Sequence, residues 1–458
     1  MAHLEEDREH LWKRLFINCD FGLLFLGRLV SQIGDGIHYF ALTWLVLDLT
    51  GSGAALGSVL TVSTLPGILL SPFAGVIVDT LDRKMIIVGA DIIRGLLALA
   101  LAVVYRLGML TMPILYVATA LLSLCGVVFG PAISASVPNL VKKEELVQAN
   151  ARNSFSMSAT GILGPIVGAL ILGATGYFGV FAINGICFIL SAISEMFIRF
   201  PKQKKHSLDA ASVPNKAEPP SPAGQFITNF KQGFAYIWSN VGLRTMIMFA
   251  LALNFMANPI FSVVFPYFGK EILQMEASHY GFTQSSFPAG LMLGTFLVGA
   301  LTQRFSKHQL LSWGIVGQGV LILLMSIIAF PVVHLYLSPT AILASIAVPT
   351  LFLGILNIQV NVPLNVALQE SVPDNYRGRV FGLIDSLVQM LVPVSMALFG
   401  VLVDVIPTAY FLITCGVSSA VLGIAMGKSS SIGTLYEQME GESGSVDRYF
   451  PINAKSPP

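Results

Sequence analysis

An apolar stretch running from about Phe16 to Leu47 carries Arg28, Gln32 and Asp35 at i, i+4 and i+7. At about 100° per residue, a helix would bring Asp35 to within about 20° of Arg28, so the three share one face. A carboxylate beside a guanidinium in apolar surroundings can take up and release a proton, its affinity set by desolvation and by the neighbouring cation. The same carboxylate can bind a cationic ligand, or serve as a structural ion pair that locks the helix to its neighbours. Asp91 and Arg94, at i and i+3 in a later apolar run, can pair on their own helix and suit a structural or gating role. Asp385, about two turns into another apolar run, can join that network, whereas Glu195 and Arg199 are expected to form a surface salt bridge.

Uncharged amides add a second pattern. Asn357, Asn361 and Asn365 recur every fourth residue, and Asn254 and Asn258 do the same just before Pro259. Amides facing lipid are costly, so both stripes must face protein or water, as interhelical bonds or as the wall of a polar cavity. Tyr39, Phe40, Trp44, Phe255 and Phe261 could add aromatic surface for a bulky ligand, or simply pack.

Motifs for hydrolytic or metal chemistry are lacking in the sequence: there is no H-E-x-x-H and no G-x-S-x-G. The string nearest to a Walker loop, Gly423 to Ser429, is one spacer short and ends an apolar run. Cys19, Cys125, Cys187 and Cys415 stand singly, without the paired spacing of a disulfide framework or a metal cluster. An enzyme is therefore not expected, nor any metal or cofactor.

The elements that must position these residues follow from composition. Of 458 residues, 54% are hydrophobic and 11% charged, against roughly 25% charged in soluble domains. With a mean hydropathy of +0.75, the solvent has to be a lipid bilayer. A net charge of +1 argues against nucleic acid as a partner. The first apolar run lacks a small-residue cleavage site and is expected to remain as a span rather than leave as a signal peptide.

A spanning helix needs about 20 apolar residues. Windows of that kind centre near Gln32, Leu65, Leu96, Leu122, Leu163 and Phe188, and again near Phe255, Leu291, Leu321, Leu353, Leu391 and Ile413. The expected architecture is an all-α membrane protein of twelve transmembrane helices in two pseudo-symmetric six-helix bundles. Residues 1–200 form the first bundle, 201–242 a cytoplasmic linker with an amphipathic helix, 243–427 the second bundle and 428–458 a disordered cytoplasmic tail. With the amino terminus inside, 22 of the 26 Lys and Arg fall in cytoplasmic segments and two, Arg106 and Lys270, outside. That asymmetry predicts both termini in the cytoplasm. An offset of 224 pairs Gly57 with Gly281 and Gly75 with Gly299, and a further gap aligns Pro165 with Pro393. Such matches support two homologous halves, the plan of many secondary transporters.

The turn after the second window reads Gly75-x-x-x-Asp79-x-x-Asp82-Arg83-Lys84. It resembles the signature G-x-x-x-D-x-x-[GD]-R-[RK] of the major facilitator superfamily, in the loop where that family carries it. The resemblance implies a latch that holds the outward-facing form against the start of the eleventh span, after Arg377 and Arg379. The second-half copy has Gln303 in place of Asp79, so its latch is degenerate. Within the superfamily, Ser31 to Gly51, Ala90 to Arg94, Pro131 to Val141, Glu144 to Ala151 and Arg377 to Val380 resemble the drug:proton antiporter branch that includes macrolide efflux proteins and bacterial siderophore exporters. Gly164-Pro165-x-x-Gly168-Ala169 resembles the antiporter motif G-P-x-x-G-G, with Ala169 in place of its last glycine.

That likeness implies alternating access, with spans one, four, seven and ten around the substrate. It places Tyr39, Asn254, Phe255, Asn258, Asn357, Asn361 and Asn365 in a cavity for a small amphipathic molecule. Arg28, Gln32 and Asp35 become the proton-coupling group, and Gly75, Asp79, Asp82, Arg83, Lys84, Asp91, Arg94, Arg377 and Arg379 the gating latch. The expected protein is a monomeric multi-pass exporter of a bacterial plasma membrane, driven by the proton gradient. Export of one specific metabolite, such as a siderophore or lysophospholipid, and a non-transporting receptor are the alternatives.

Overall fold

The computed structural model describes residues 17–200 and 222–436, without the side chains of residues 72, 76, 79, 222–229 and 375. Among the described residues the chain is helical and contains no strand. We number the helices α1 (Cys19–Thr50), α2 (Gly53–Thr80), α3 (Arg83–Arg106), α4 (Met112–Leu140), α5 (Leu146–Met196), α6 (Pro222–Ser239), α7 (Val241–Pro259), α8 (Ala277–Thr302), α9 (Lys307–Ile328), α10 (Pro339–Ser371), α11 (Asp374–Val405) and α12 (Thr408–Gly427). Two π-helical turns, Ile260–Val264 and Phe268–Ile272, continue α7 beyond Pro259.

Local chemistry sets the breaks between helices. Asn18 opens α1 by accepting from the Phe21 amide, and Gly51, at φ 59°, ends it in the left-handed conformation. Ser52 and Asp82 cap α2 and α3 in the same way. Asp82, expected in the latch, spends its carboxylate on the Lys84 and Met85 amides at the head of α3.

Among the described residues, ten helical stretches, from Gly53–Ser71 to Thr408–Gly427, are long and apolar enough to cross a membrane. One of these, Lys143–Met196, contains two of the window centres, Leu163 and Phe188, and is broken between them at Gly176, where φ is 66° and ψ is −172°. The charged helix α1 is not among the ten, although it is 32 residues long. Large apolar side chains such as Leu69, Phe73, Phe155, Phe296 and Val332 stand exposed. In water such a surface would be unstable, whereas lipid accepts it.

The helices pack as two groups. In the first, α5 packs on α1 and α3, and α2 on α4; in the second, α9 packs on α10 and α12, α8 on α10, and α7 on α11. The groups meet where α2 lies on α11 and α5 on α8. These two crossings repeat one geometry. A Cβ on Gly57 of α2 would stand 2.3 Å from the Met396 carbonyl of α11, and one on Gly281 of α8 would stand 2.7 Å from the Pro165 carbonyl of α5. One turn further along, Thr61 donates to the Pro393 carbonyl at 3.0 Å and Ser285 to the Ile162 carbonyl at 2.6 Å. The pairs Gly57 with Gly281 and Thr61 with Ser285 obey the same sequence offset, so the repeat is visible in packing as well as in sequence.

Two expectations about the polar segments change. Helix α6 does more than lie on a surface: Phe230, Tyr236 and Ile237 join the buried cluster of the second group, and Gly233 fits against the Arg379 carbonyl. Residues 430–436, expected within a disordered tail, are helical, with Ile432, Leu435 and Tyr436 buried in that same cluster. Their i, i+3, i+4 spacing gives one apolar face to bury. The expectations for residues 1–16, 201–221 and 437–458 lie outside the described residues.

Candidate functional site

Two facing glycines, Gly95 of α3 and Gly185 of α5, bring these helices together: a Cβ on either would stand about 3 Å from the other's carbonyl oxygen. Gly36 of α1 and Gly164 of α5 meet in the same manner, with a Cβ on Gly36 only 3.0 Å from the Gly164 Cα. These approaches converge α1, α3 and both limbs of α5 on one charged cluster. Arg94 Nη2 donates to both carboxylate oxygens of Asp35 at 2.7 Å, and Arg94 Nη1 reaches Asp91 Oδ1 at 3.4 Å. The guanidinium lies 4.1 Å from the Phe188 ring and 5.4 Å from the Phe129 ring, a cation–π contact on each.

Asp35 faces open space. Its side chain is 46% exposed, against 10% for Arg94 and 0% for Asp91. The space is a cavity in two lobes. One lobe, of about 520 Å³, is bounded by His38, Tyr39, Arg94, Asn184 and Phe188 of the first group. The other, of about 570 Å³, runs between the groups against Asn258, Phe261, Tyr280, Phe287 and Met396. Asp35 and Tyr39 belong to both lobes. Each volume suits a drug-sized ligand, and the walls are mainly apolar with a few polar groups, as such sites require.

At the end that carries Gly51, the cavity is sealed. Asp404 of α11 accepts from the Ser52 hydroxyl and the Gly53 amide at 2.6 Å and from the Ala54 amide at 3.0 Å, so a side chain of one group caps a helix of the other. Asp48 accepts from Tyr177 and from Lys270, whose ammonium also stands 4.6 Å from the Trp44 ring. Beneath them Trp44 stacks on Tyr280 at 5.1 Å. At the opposite end, which carries Asp82, the positions where Cβ atoms on Gly75, Gly378 and Gly382 would lie have no atom within 4 Å.

Several latch side chains bond within their own groups. Arg83 donates to the Ala135 carbonyl and Lys84 to the Ile198 carbonyl, both within the first group. Arg377 pairs with Asp374 and the Gln369 carbonyl, while the Arg379 guanidinium lies near the Tyr376 ring. Gly75 is exposed, and the side chain of Asp79 is outside the described set.

Other expected residues are redistributed. Arg28 is not the partner of Asp35: it donates to Asn153 at 2.6 Å, and Gln32 accepts from Ser156 at 2.6 Å. The two face α5, because the 20° between Arg28 and Asp35 comes with two turns of rise that carry Asp35 on to Arg94. Arg94 thus lines the cavity as well as anchoring α3. Asn254, Asn357 and Asn361 do not reach the central cavity but line a separate pocket of about 60 Å³ with Gln318 and Ser419, enough for water. Asn258 does reach it, Asn365 is exposed and bonds back to the Asn361 carbonyl, and Phe255 packs edge-on against Phe399. Asp385 is exposed rather than networked.

Glu195 corrects most sharply. It is fully buried, not a surface partner of Arg199, and accepts from Ser191 at 3.4 Å. The sequence reading also missed His38 and Asn184 in the cavity. His38 follows Asp35 by three residues, a spacing that puts it on the same helical face; for Asn184 a lone polar residue in an apolar run was the available signal.

Apolar helices that meet in pairs around a ligand-sized cavity, sealed at one end, suit a membrane transporter. The chain belongs to the Major Facilitator Superfamily, whose family model matches residues 24–396. It is similar to macrolide efflux protein A of Streptococcus pyogenes, at 24% identity over 86% of this chain and 92% of that protein. It is similar, too, to the multidrug efflux pump Tap of Mycolicibacterium fortuitum, at 24% identity over 83% of this chain and 88% of that one. Among solved structures, the nucleoside transporter NupG matches with a TM-score of 0.68 at 14% identity, covering 90% of this chain and 100% of its own. A bacterial homologue of the iron transporter ferroportin, solved in an inward-facing state, matches with a TM-score of 0.63 at 17% identity, covering 89% and 98%. At these identities the structures speak for the fold.

Proposed function

We propose that this protein is a proton-coupled exporter of amphipathic small molecules, with twelve spans and both termini in the cytoplasm of a bacterial cell. The efflux pumps among its relatives support the direction and the substrate class. The distribution of Lys and Arg supports the orientation, which makes the Asp82 end cytoplasmic and the Gly51 end external. On this reading the sealed external end belongs to an inward-facing form.

The observation that carries the proposal is Asp35 itself, a carboxylate in the cavity held by one guanidinium. When ionised, it holds Arg94 or attracts a cationic group on the substrate. When protonated, it does neither, so proton and substrate compete for one site. Phe261, Phe265, Tyr280 and Phe287 offer the apolar part of the substrate an aromatic wall. The two rigid groups rock about the cavity, so that a proton enters from outside and substrate leaves in the other half of the cycle.

The test is substrate-stimulated proton flux in liposomes of the purified protein, screened across macrolides, tetracyclines, cationic dyes and siderophores. Amphipathic compounds are expected to drive proton movement. Substrate equilibration with no proton movement for any compound would reject the coupling.

A further inference from the structure

The cluster around Arg94 contains more carboxyl groups than it has cations. Asp35, Asp91 and Glu195 face a single guanidinium, and Arg94 gives its shortest bonds to Asp35. Glu195 lies one residue from the end of α5, yet has no exposed surface, and Asp91 is equally enclosed. Ser191 stands between the two: its hydroxyl donates to Glu195 Oε1 at 3.4 Å and lies beside Asp91. The second oxygen of each carboxyl, Asp91 Oδ2 and Glu195 Oε2, is buried without a hydrogen-bond partner. The charged groups acting on Glu195 are Asp91 and Arg94 of α3, while α1 meets it with the bare backbone of Gly27. Cys125 of α4 and Asp35 and His38 of α1 are the further titratable groups around Asp91 and Arg94.

Two buried carboxylates with one shared and already committed cation are not a stable arrangement. An unpaired charge in such surroundings costs several kcal/mol, and the group keeps its proton instead. Asp91 has the contact with Arg94, so the proton resides on Glu195. Arginine does not give up its own proton, which makes the link to the cavity electrostatic. A proton arriving on Asp35 frees Arg94 to turn fully to Asp91, and the closer cation offsets more of the Asp91 charge that Glu195 feels beside Ser191.

We propose that Glu195 is a second protonation site of the transport cycle, a buried carboxylic acid near the cytoplasmic end, linked to Asp35 through Ser191, Asp91 and Arg94. Its role rests on the proton-coupled reading above; the presence of the proton does not.

The full-length protein in lipid, labelled with carbon-13 glutamate, tests both parts. Its infrared spectrum at neutral pH is expected to contain a glutamic-acid carbonyl band that is kept in Asp35→Asn and lost in Glu195→Gln. Ser191→Ala, which leaves both carboxyls in place, is expected to shift that band, and serves if Glu195→Gln does not reach the membrane. In liposomes, Glu195→Gln is expected to retain substrate exchange and lose acceleration by a pH gradient, whereas a merely structural role would reduce both together. A band unchanged in both variants, or an unchanged pH-gradient response of Glu195→Gln, overturns the proposal. Loss of coupling in Glu195→Gln alongside normal coupling in Asp35→Asn would reject the Asp35 assignment and leave Glu195 standing.

Discussion

Arg94 Nη2 lies 2.7 Å from both carboxylate oxygens of Asp35, joining the third helix to the first across the cavity wall. The same guanidinium faces the enclosed Asp91 on its other side. On the proposed coupling, it answers a change of charge on Asp35 by changing partners, which a pair on one helix could not do.

Replacing Arg94 by Ala removes the cation from a carboxylate with no exposed surface. Taking one partner from a buried pair costs about 3–5 kcal/mol, so Arg94→Ala is expected to lower the thermal unfolding midpoint in detergent strongly. Adding Asp91→Asn is expected to restore much of that loss, since the two sites share one interaction. A double variant no more stable than Arg94→Ala would mean that Asp91 is not the residue left stranded.

Asp404 caps the head of α2 from the other half of the molecule. Loss of a helix cap costs about 0.5–2 kcal/mol, which moves a two-state equilibrium by roughly two- to thirty-fold. Asp404→Ala is accordingly expected to populate a form open at the Gly51 end. Spin labels on the exposed positions Leu49 and Val405 report this as a longer distance, and an unchanged distance distribution counts against a gate there.

Asp79 occupies the latch position implied by the sequence signature. Asp79→Asn is expected to slow the conformational cycle while leaving ligand affinity near normal, measured as turnover against equilibrium binding. Normal turnover would remove the latch from the account.

The sequence disclosed the helices well, because apolar windows of spanning length have few alternatives in a chain with so little charge. Repeat pairs such as Gly57 with Gly281 were legible too, since close helix crossings demand small residues at fixed positions. Partnerships were harder to read. The helical wheel puts Arg28 and Asp35 on one face, but it carries no information on which neighbouring helix each meets, and rise along the axis separates them into contacts with Asn153 and Arg94. Glu195 looked like an interfacial residue by its place near a helix end; only the packing of Gly27, Ser191 and α3 around it encloses it. The amide stripes were expected to face protein or water; Asn258 lines the cavity, yet Asn357 and Asn361 turn into a small internal pocket, a choice of neighbour that spacing alone does not make.

The proposed coupling of proton movement to export through Asp35 is measured directly as transport by Asp35→Asn in liposomes with and without an imposed pH gradient. The variant is expected to reach the membrane and to exchange substrate across it, while export no longer responds to the gradient. Export by Asp35→Asn with the wild-type dependence on the gradient would contradict the account.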